Sequence, residues 1–324
     1  MQEEVIDEVV PRGGPVSVTA HIHGLSPGEW VVTAELVPPA SPARSRRSAR
    51  GPGQHGSQVL RPAAWSWRRW ALFTASSGPI KTRWAPLVGF DKVPAVIPGS
   101  YTALVTLGIV VALLVQARVL AIEHLAVADV VTVSLGAVVM GLVGAKLWYL
   151  ALDWRRGRPS VSEGWCIQGF LAGAALTAAV AMVALHLPVG RVLDATAPGL
   201  FIGLAVGKLG CFFTGCCAGR PTGSRWGVWS SDRRIGARRL PAQLLESATS
   251  LIIGVAVLLL VLHYRPAVAG ALFVASLATY TLCRRFLLRL RVERRRSNMG
   301  GPLAAAGAAL ILAAAIGAMV LGLG

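Results

Sequence analysis

The densest run of residues able to do chemistry is Gly207-Lys-Leu-Gly-Cys-Phe-Phe-Thr-Gly-Cys-Cys-Ala-Gly-Arg-Pro-Thr222. Four glycines in sixteen positions suit a helix that frays into a loop, exposing backbone N–H groups beside Lys208 and Arg220. Such an arrangement holds phosphate. Cys211, Cys216 and Cys217 offer soft thiolates, but C-x4-C-C differs from the paired C-x2-C of zinc sites and the motif contains no His or acid, so no metal is expected. Small buried packing is the ordinary fate of such cysteines, and pairing of two of them stays open in an oxidising compartment. Downstream, Gln243 and Glu246 lie one turn apart on one helical face, just after Pro241, which is also how a helix conventionally begins. Tyr280 and Arg284, four residues apart, form another polar face, and Arg284 suits a bidentate phosphate contact. Arg285, Arg289, Arg291, Arg294, Arg295 and Arg296 follow and read as a solvated, lipid-attracting tail. Lys146, near the end of an apolar run, can snorkel to the headgroups.

These residues sit on elements that water does not suit. Of 324 residues, 54% are apolar and 15% charged, against roughly 25% charged in soluble domains. Seven apolar runs, at about 101–121, 127–150, 164–187, 194–214, 243–262, 267–290 and 302–323, are long enough to cross a bilayer. The predicted fold is an all-α polytopic membrane protein. Its basic excess, 32 Lys+Arg against 15 Asp+Glu, falls between the spans, where anionic lipid is a nearer partner than nucleic acid. Within the fourth span, Gly199, Gly203 and Gly207 form a small-residue ridge that lets a neighbouring helix approach closely. Gly215 to Ala242, with two Trp and six Arg, is too polar for a simple hairpin. Irregular chain at a membrane surface is where a polar site is built.

Residues 1–95 are expected to be an extension distinct from a membrane domain at 96–324. Val16–Ile22 and Trp30–Val37 alternate like two strands of a hairpin across Gly24-Leu-Ser-Pro-Gly28. Pro38 to Arg69 has the composition of a disordered linker. Trp65, Trp67, Trp70 and Trp84, interleaved with arginines, resemble an interfacial belt. The start Met-Gln-Glu-Glu is acidic and lacks an apolar h-region, so no signal peptide is expected.

Taken in order, the motifs resemble those of the bacterial prolipoprotein diacylglyceryl transferases, from about Val93 to the C-terminus. That family's signature, Gly-Arg-x-Gly-Asn-Phe-x-Asn-Gly-Glu followed by Gly-Arg, is matched by Gly207-Lys208-Leu-Gly210-Cys211-Phe212-Phe-Thr-Gly215-Cys216 and then Gly219-Arg220. Its Arg-x-Pro-x-Gln-Leu-x-Glu stretch stands as Arg239-Leu-Pro241-Ala-Gln243-Leu-Leu-Glu246. Tyr101, Tyr280 with Arg284, and Gly144-Ala-Lys146-Leu-Trp-Tyr149 match further family positions. The resemblance implies a seven-span plasma-membrane enzyme that moves the diacylglyceryl group of phosphatidylglycerol onto the lipobox cysteine of a prolipoprotein. It also implies the site: Lys208 and Arg284 on the phosphate, with Glu246 and Gln168 as the other catalytic positions. Tyr101, Lys146, Cys211, Gly219, Arg220, Gln243 and Tyr280 would then hold the lipid. No cofactor or metal is called for.

The departures are specific. Gln168 stands where the family has the His of His-Gly-Gly, and glutamine cannot take a proton from a thiol. Cys216 replaces the signature Glu, and Leu288 replaces an acid four residues beyond Arg284. Glu246 is left as the acid/base or Arg-orienting candidate. A lipid- or lipoprotein-binding homologue without activity is therefore the alternative function. A small-molecule transporter is opposed by the odd span count and the lack of an internal repeat. Arg and Lys after spans two and four number about 3 and 6, and from Arg284 at the end of span six onward about 7, which would place that side in the cytoplasm. The family resemblance implies the opposite orientation, with the site toward the outer face.

Overall fold

The computed structural model describes residues 99–154, 164–232, 235–264, 268–292 and 300–321, together with five short strands nearer the N-terminus. The chain divides into two compact units, one of Met1–Gly99 with Phe213–Leu240 and one of Ser100–Phe212 with Pro241–Gly324.

In the first unit the early strands are β1 (Ser17–Val18), β2 (Trp30–Val32), β3 (Gln58–Leu60), β4 (Ala71–Phe73) and β5 (Pro79–Lys81). Among the described residues the first two strands are not paired with each other as the expected hairpin would have them. Instead β2 pairs antiparallel with β3, Trp30 opposite Leu60. β1 adds to a hairpin within the 213–240 segment, made of β6 (Val228–Ser231) and β7 (Ile235–Arg239), in the order β1-β7-β6. Ser17 lies opposite Gly236. The physical reason is that β7 would otherwise present an open edge of backbone donors and acceptors, and a distant strand satisfies it as well as a sequence neighbour does. β3 falls within the stretch expected to be disordered. The rest of that stretch and the tryptophans at 65, 67, 70 and 84 lie outside the described residues.

The second unit holds the helices α1 (Ser100–Ile122), α2 (Val127–Trp154), α3 (Ile167–Ala184), α4 (Val189–Thr214, its last two residues counted with the other unit), α5 (Ala242–His263), α6 (Ala271–Leu287) and α7 (Gly300–Leu321). α6 is continued by a 3-10 turn, Leu288–Leu290. Among the described residues, six helices are long and apolar enough to cross a membrane, and α7 contributes a shorter apolar stretch, Ala304–Met319. The chain is an α-helical multi-pass membrane protein. α4 starts five residues before the expected position, because Pro188 accepts the first helical bond from Val192 and its fixed φ suits a helix start.

Small residues set how closely the helices cross. A Cβ on Gly108 of α1 would lie 2.5 Å from the Gly203 carbonyl oxygen, and one on Gly203 would lie 2.8 Å from the Ala112 methyl. At Gly199 and Gly203 the glycine ridge of α4 is thus the close-packing face it was expected to be, whereas a Cβ on Gly207 would meet only Val105 Cγ2 at 3.9 Å. α2 and α3 cross in the same way, where a Cβ on Gly144 would lie 2.5 Å from the Gly169 carbonyl. The core joins Val119, Leu120, Val130, Phe201, Ile253, Val257 and Leu272. Leu114, Leu171, Ile252 and Leu310 point outward and are exposed, a surface suited to lipid.

Hydrocarbon provides no partner for a polar group, so buried ones must be satisfied internally. Gln116 donates to Ser134 at 2.9 Å and to Thr196 at 2.8 Å, tying α1 to α2 and α4. Asp194 accepts from the backbone N–H of Gly270 at 2.7 Å and of Phe273 at 2.9 Å, closing the start of α6 onto α4.

Candidate functional site

Helix direction decides which polar residues meet. Asp194 on α4 binds Phe273 on α6, and seven residues further along each helix the rings of Phe201 and Tyr280 lie 5.6 Å apart. The two helices therefore run parallel and in register. Lys208 lies seven residues beyond Phe201 and Arg284 four beyond Tyr280, rises of about 10 Å and about 6 Å, so the two cations stand within roughly one turn of the same level. α5 runs the other way, Ser247 donating to the Ala205 carbonyl at 2.7 Å, so its first turn faces the last turns of α4. α1 is also antiparallel to α4, since a Cβ on Gly210 would lie 3.2 Å from the Tyr101 Cα. One end of the bundle thus receives the start of α1, the end of α4, the start of α5 and the end of α6.

At that end Glu246, fully buried, holds Lys208 Nζ at 2.6 Å on one carboxylate oxygen and the Arg291 guanidinium on the other. Two cations against one anion leave the cluster with one net positive charge. Gln243 is fully buried one turn before Glu246 on the same face. Tyr280 accepts a hydrogen bond from Arg284 Nη1 at 2.9 Å, which fixes the guanidinium over its own helix. Arg284 is half-buried, whereas Arg289 is exposed and lies over the Phe286 ring.

Arg291 corrects the expectation of a wholly solvated arginine tail. It is buried because the 3-10 turn after Leu287 tightens the chain and rotates position 291 back toward α5. One signal was legible: position 291 lies seven residues after Arg284, two helical turns along the same face. Arg294, Arg295 and Arg296 lie outside the described residues.

The remaining expected residues fall in three places. Tyr101 is exposed at the first turn of α1, and Cys211 is buried three residues after Lys208, outside any disulfide. Lys146 on α2 sits 5.4 Å from the Trp165 ring centroid and 5.6 Å from that of Tyr149, donating to the Gly164 carbonyl at 3.4 Å. It is gathered onto aromatic rings between α2 and α3 rather than extended to solvent. Gln168 is exposed in the first turn of α3, with the Cys166 thiol 3.9 Å from its side-chain oxygen.

Gly219 and Arg220 belong to the loop unit, where the Gly219 carbonyl accepts from Arg239 Nη1 at 3.2 Å. Arg239, 1% exposed, also binds Asp232 at 2.9 Å and pins the β6–β7 hairpin to the loop. Arg220 is exposed, its carbonyl accepting from the Leu240 N–H at 3.0 Å. Cys216 and Cys217 are half-buried and form no disulfide, and the Cys216 sulfur lies 3.6 Å from the Thr214 hydroxyl.

The family model for prolipoprotein diacylglyceryl transferase matches residues 94–323. Relatives named phosphatidylglycerol–prolipoprotein diacylglyceryl transferase include one from Mycobacterium leprae, 30% identical over 162 residues, 47% of this chain and 49% of the relative. One from Frankia alni is 29% identical over 216 residues, 62% of this chain and 57% of the relative. One from Acaryochloris marina is 26% identical over 261 residues, 76% of this chain and 90% of the relative. The chain spans about half the length of the first two.

Proposed function

The chain belongs to the prolipoprotein diacylglyceryl transferase family, and on that premise we propose that it transfers the diacylglyceryl group of phosphatidylglycerol to the lipobox cysteine of a prolipoprotein. The observation that carries this reading is the buried, net-positive Lys208–Glu246–Arg291 cluster, at the same level of the bundle as Arg284. A phosphodiester bears one negative charge, which such a cluster neutralises in a medium where an unpaired charge is expensive.

In the proposed reaction the acceptor sulfur attacks the glycerol carbon that bears the phosphate. A C–S bond forms, the C–O bond breaks, and glycerol phosphate leaves with the electron pair. The thiol proton passes to a base or to water. Lys208 and Arg284 hold the phosphate and stabilise the charge that grows on the leaving oxygen. Glu246 fixes the direction of Lys208 and Arg291; with both oxygens engaged by cations it is placed as an orienting group rather than as a base. Tyr101, Lys146, Cys211, Gln243 and Tyr280 position the lipid headgroup. Gln168 supplies no base, so turnover is slow unless solvent or the substrate takes the proton.

Residues 96–324 form the membrane-embedded catalytic domain in this reading, and 1–95 are an appendage. The protein resides in the bacterial plasma membrane with this end of the bundle outward. A reporter active only outside the cytoplasm, fused within residues 223–234, should be active; an inactive one there, with an active one at Gly324, reverses the orientation and removes lipoprotein maturation as the function. The deciding experiment is complementation of a strain that lacks its own lipoprotein diacylglyceryl transferase. Growth supports the transferase. Absence of growth with retained phosphatidylglycerol binding supports a lipid-binding homologue without activity, the reading that Gln168 favours.

A further inference from the structure

The loop between α4 and β6 is built to hold one short tip in place. The Thr222 hydroxyl accepts from the Ser224 N–H at 3.1 Å, and the Ser224 hydroxyl accepts from the Trp226 N–H at 3.2 Å. Behind them the Arg238 guanidinium bridges two carbonyls, Gly227 at 3.1 Å and Arg225 at 3.4 Å. A side chain at Gly227 would meet Arg238 Cγ at 2.7 Å, so the close approach requires glycine. What this framework presents is Arg225 and Trp226, with the guanidinium 5.2 Å from the centre of the indole and Trp226 72% exposed.

An indole left this exposed loses the free energy its burial would bring. Its surroundings say what covers it. Between Gly215 and Leu240 the charged residues are six arginines and Asp232, and Asp232 is engaged by Arg239. The tip therefore carries an amphipathic ring and a cation, in a segment whose sequence is net positive. We propose that the Arg225–Trp226 tip anchors this loop to an anionic phospholipid interface, the indole at headgroup depth and the guanidinium on lipid phosphates. Tryptophan favours that depth, and basic side chains near an anionic surface are attracted to it. A protruding tip suits a soft interface, whereas a peptide dock would need a groove or an open strand edge. The anchor does not depend on the transferase reading, because it calls for no turnover.

The test uses the full chain in nanodiscs of phosphatidylcholine with chains brominated near the carbonyl, with and without about 30% phosphatidylserine, an anionic lipid distinct from the proposed substrate. Subtracting Trp226→Phe from the natural protein isolates the Trp226 fluorescence. That signal should be quenched, about twofold more strongly with the anionic lipid, and the difference should fall in high salt and in Arg225→Gln. Should Trp226→Phe not fold, the same contrast is read in the natural protein as slower amide exchange over residues 222–227 with anionic lipid. No Trp226-specific quenching in either nanodisc, together with unchanged exchange, overturns the anchor. Quenching equal in both lipids and indifferent to Arg225→Gln overturns its anionic character. Protection that appears only on adding a lipobox peptide overturns it in favour of a peptide dock.

Discussion

Each end of the helix bundle buries a carboxylate between α4 and α6, but the donors differ. Asp194 is held by backbone N–H groups of Gly270 and Phe273, whose directions are set by the fold. Glu246 is held by the ends of two long cationic side chains, Lys208 and Arg291. Backbone donors cannot turn toward a ligand, so the first arrangement is a fastening. Side-chain cations can share themselves between a carboxylate and an incoming anion, so the second can bind. In a hydrocarbon setting, where every polar group demands a partner, the kind of donor separates a structural acid from a functional one.

The contrast is broken most severely at Glu246. Glu246→Leu leaves two buried cations without their anion and should destabilise the fold by about 3–5 kcal/mol, seen as a large drop in unfolding temperature in detergent. Glu246→Leu combined with Lys208→Met and Arg291→Met should recover much of that stability while abolishing lipid binding. If the triple variant bound phosphatidylglycerol like the natural chain, the cluster would not be the phosphate site.

Next in size is a gain. A general base contributes typically 10²–10⁴-fold to rate, so Gln168→His should raise thioether formation from labelled phosphatidylglycerol and a lipobox peptide by about a hundredfold or more. Robust native turnover that Gln168→His does not raise, but Glu246→Gln abolishes at unchanged lipid affinity, would assign the proton transfer to Glu246 after all.

Removing one phosphate contact is smaller still. Arg284→Ala or Lys208→Ala should each lose a charge-assisted bond of about 1.5–3 kcal/mol, a ten- to hundredfold weaker interaction with phosphatidylglycerol vesicles. Lys208→Arg should be tolerated. Unchanged lipid binding in both alanine variants would exclude them from the site.

The smallest effect sharpens the comparison at its other end. Asp194→Ala strands two backbone donors and should cost about 1–3 kcal/mol of stability, with phosphatidylglycerol affinity unaltered. A parallel loss of affinity would show that the fastening at the start of α6 also tunes the far end, through the shared register of α4 and α6.

Much of this was legible along the chain. The spans follow from apolar runs, the ridge of Gly199, Gly203 and Gly207 from its spacing, and the polar positions Lys208, Gln243, Glu246, Tyr280 and Arg284 from their order. Arg291 was hidden among five other arginines that follow Arg284; its spacing from Arg284 was its one mark, and the turn at Leu288–Leu290 decides that it is buried while Arg289 is exposed. Asp194 gave no local sign, since its partners lie 76 and 79 residues away. The pairing of β1 with β7 was equally silent, a two-residue strand carrying too little pattern to name a partner more than 200 residues distant.

Composition and periodicity thus determined the medium, the number and approximate places of the helices and the residue types able to meet a phosphate, because hydrophobic transfer and helical spacing are properties of local sequence. Which cations share one carboxylate, which acid merely fastens a helix, and which strand closes the loop hairpin were decided only by the tertiary structure. Those outcomes depend on direction and distance between segments far apart in the chain, and a buried charge takes its meaning from whatever the fold brings within about 3 Å of it.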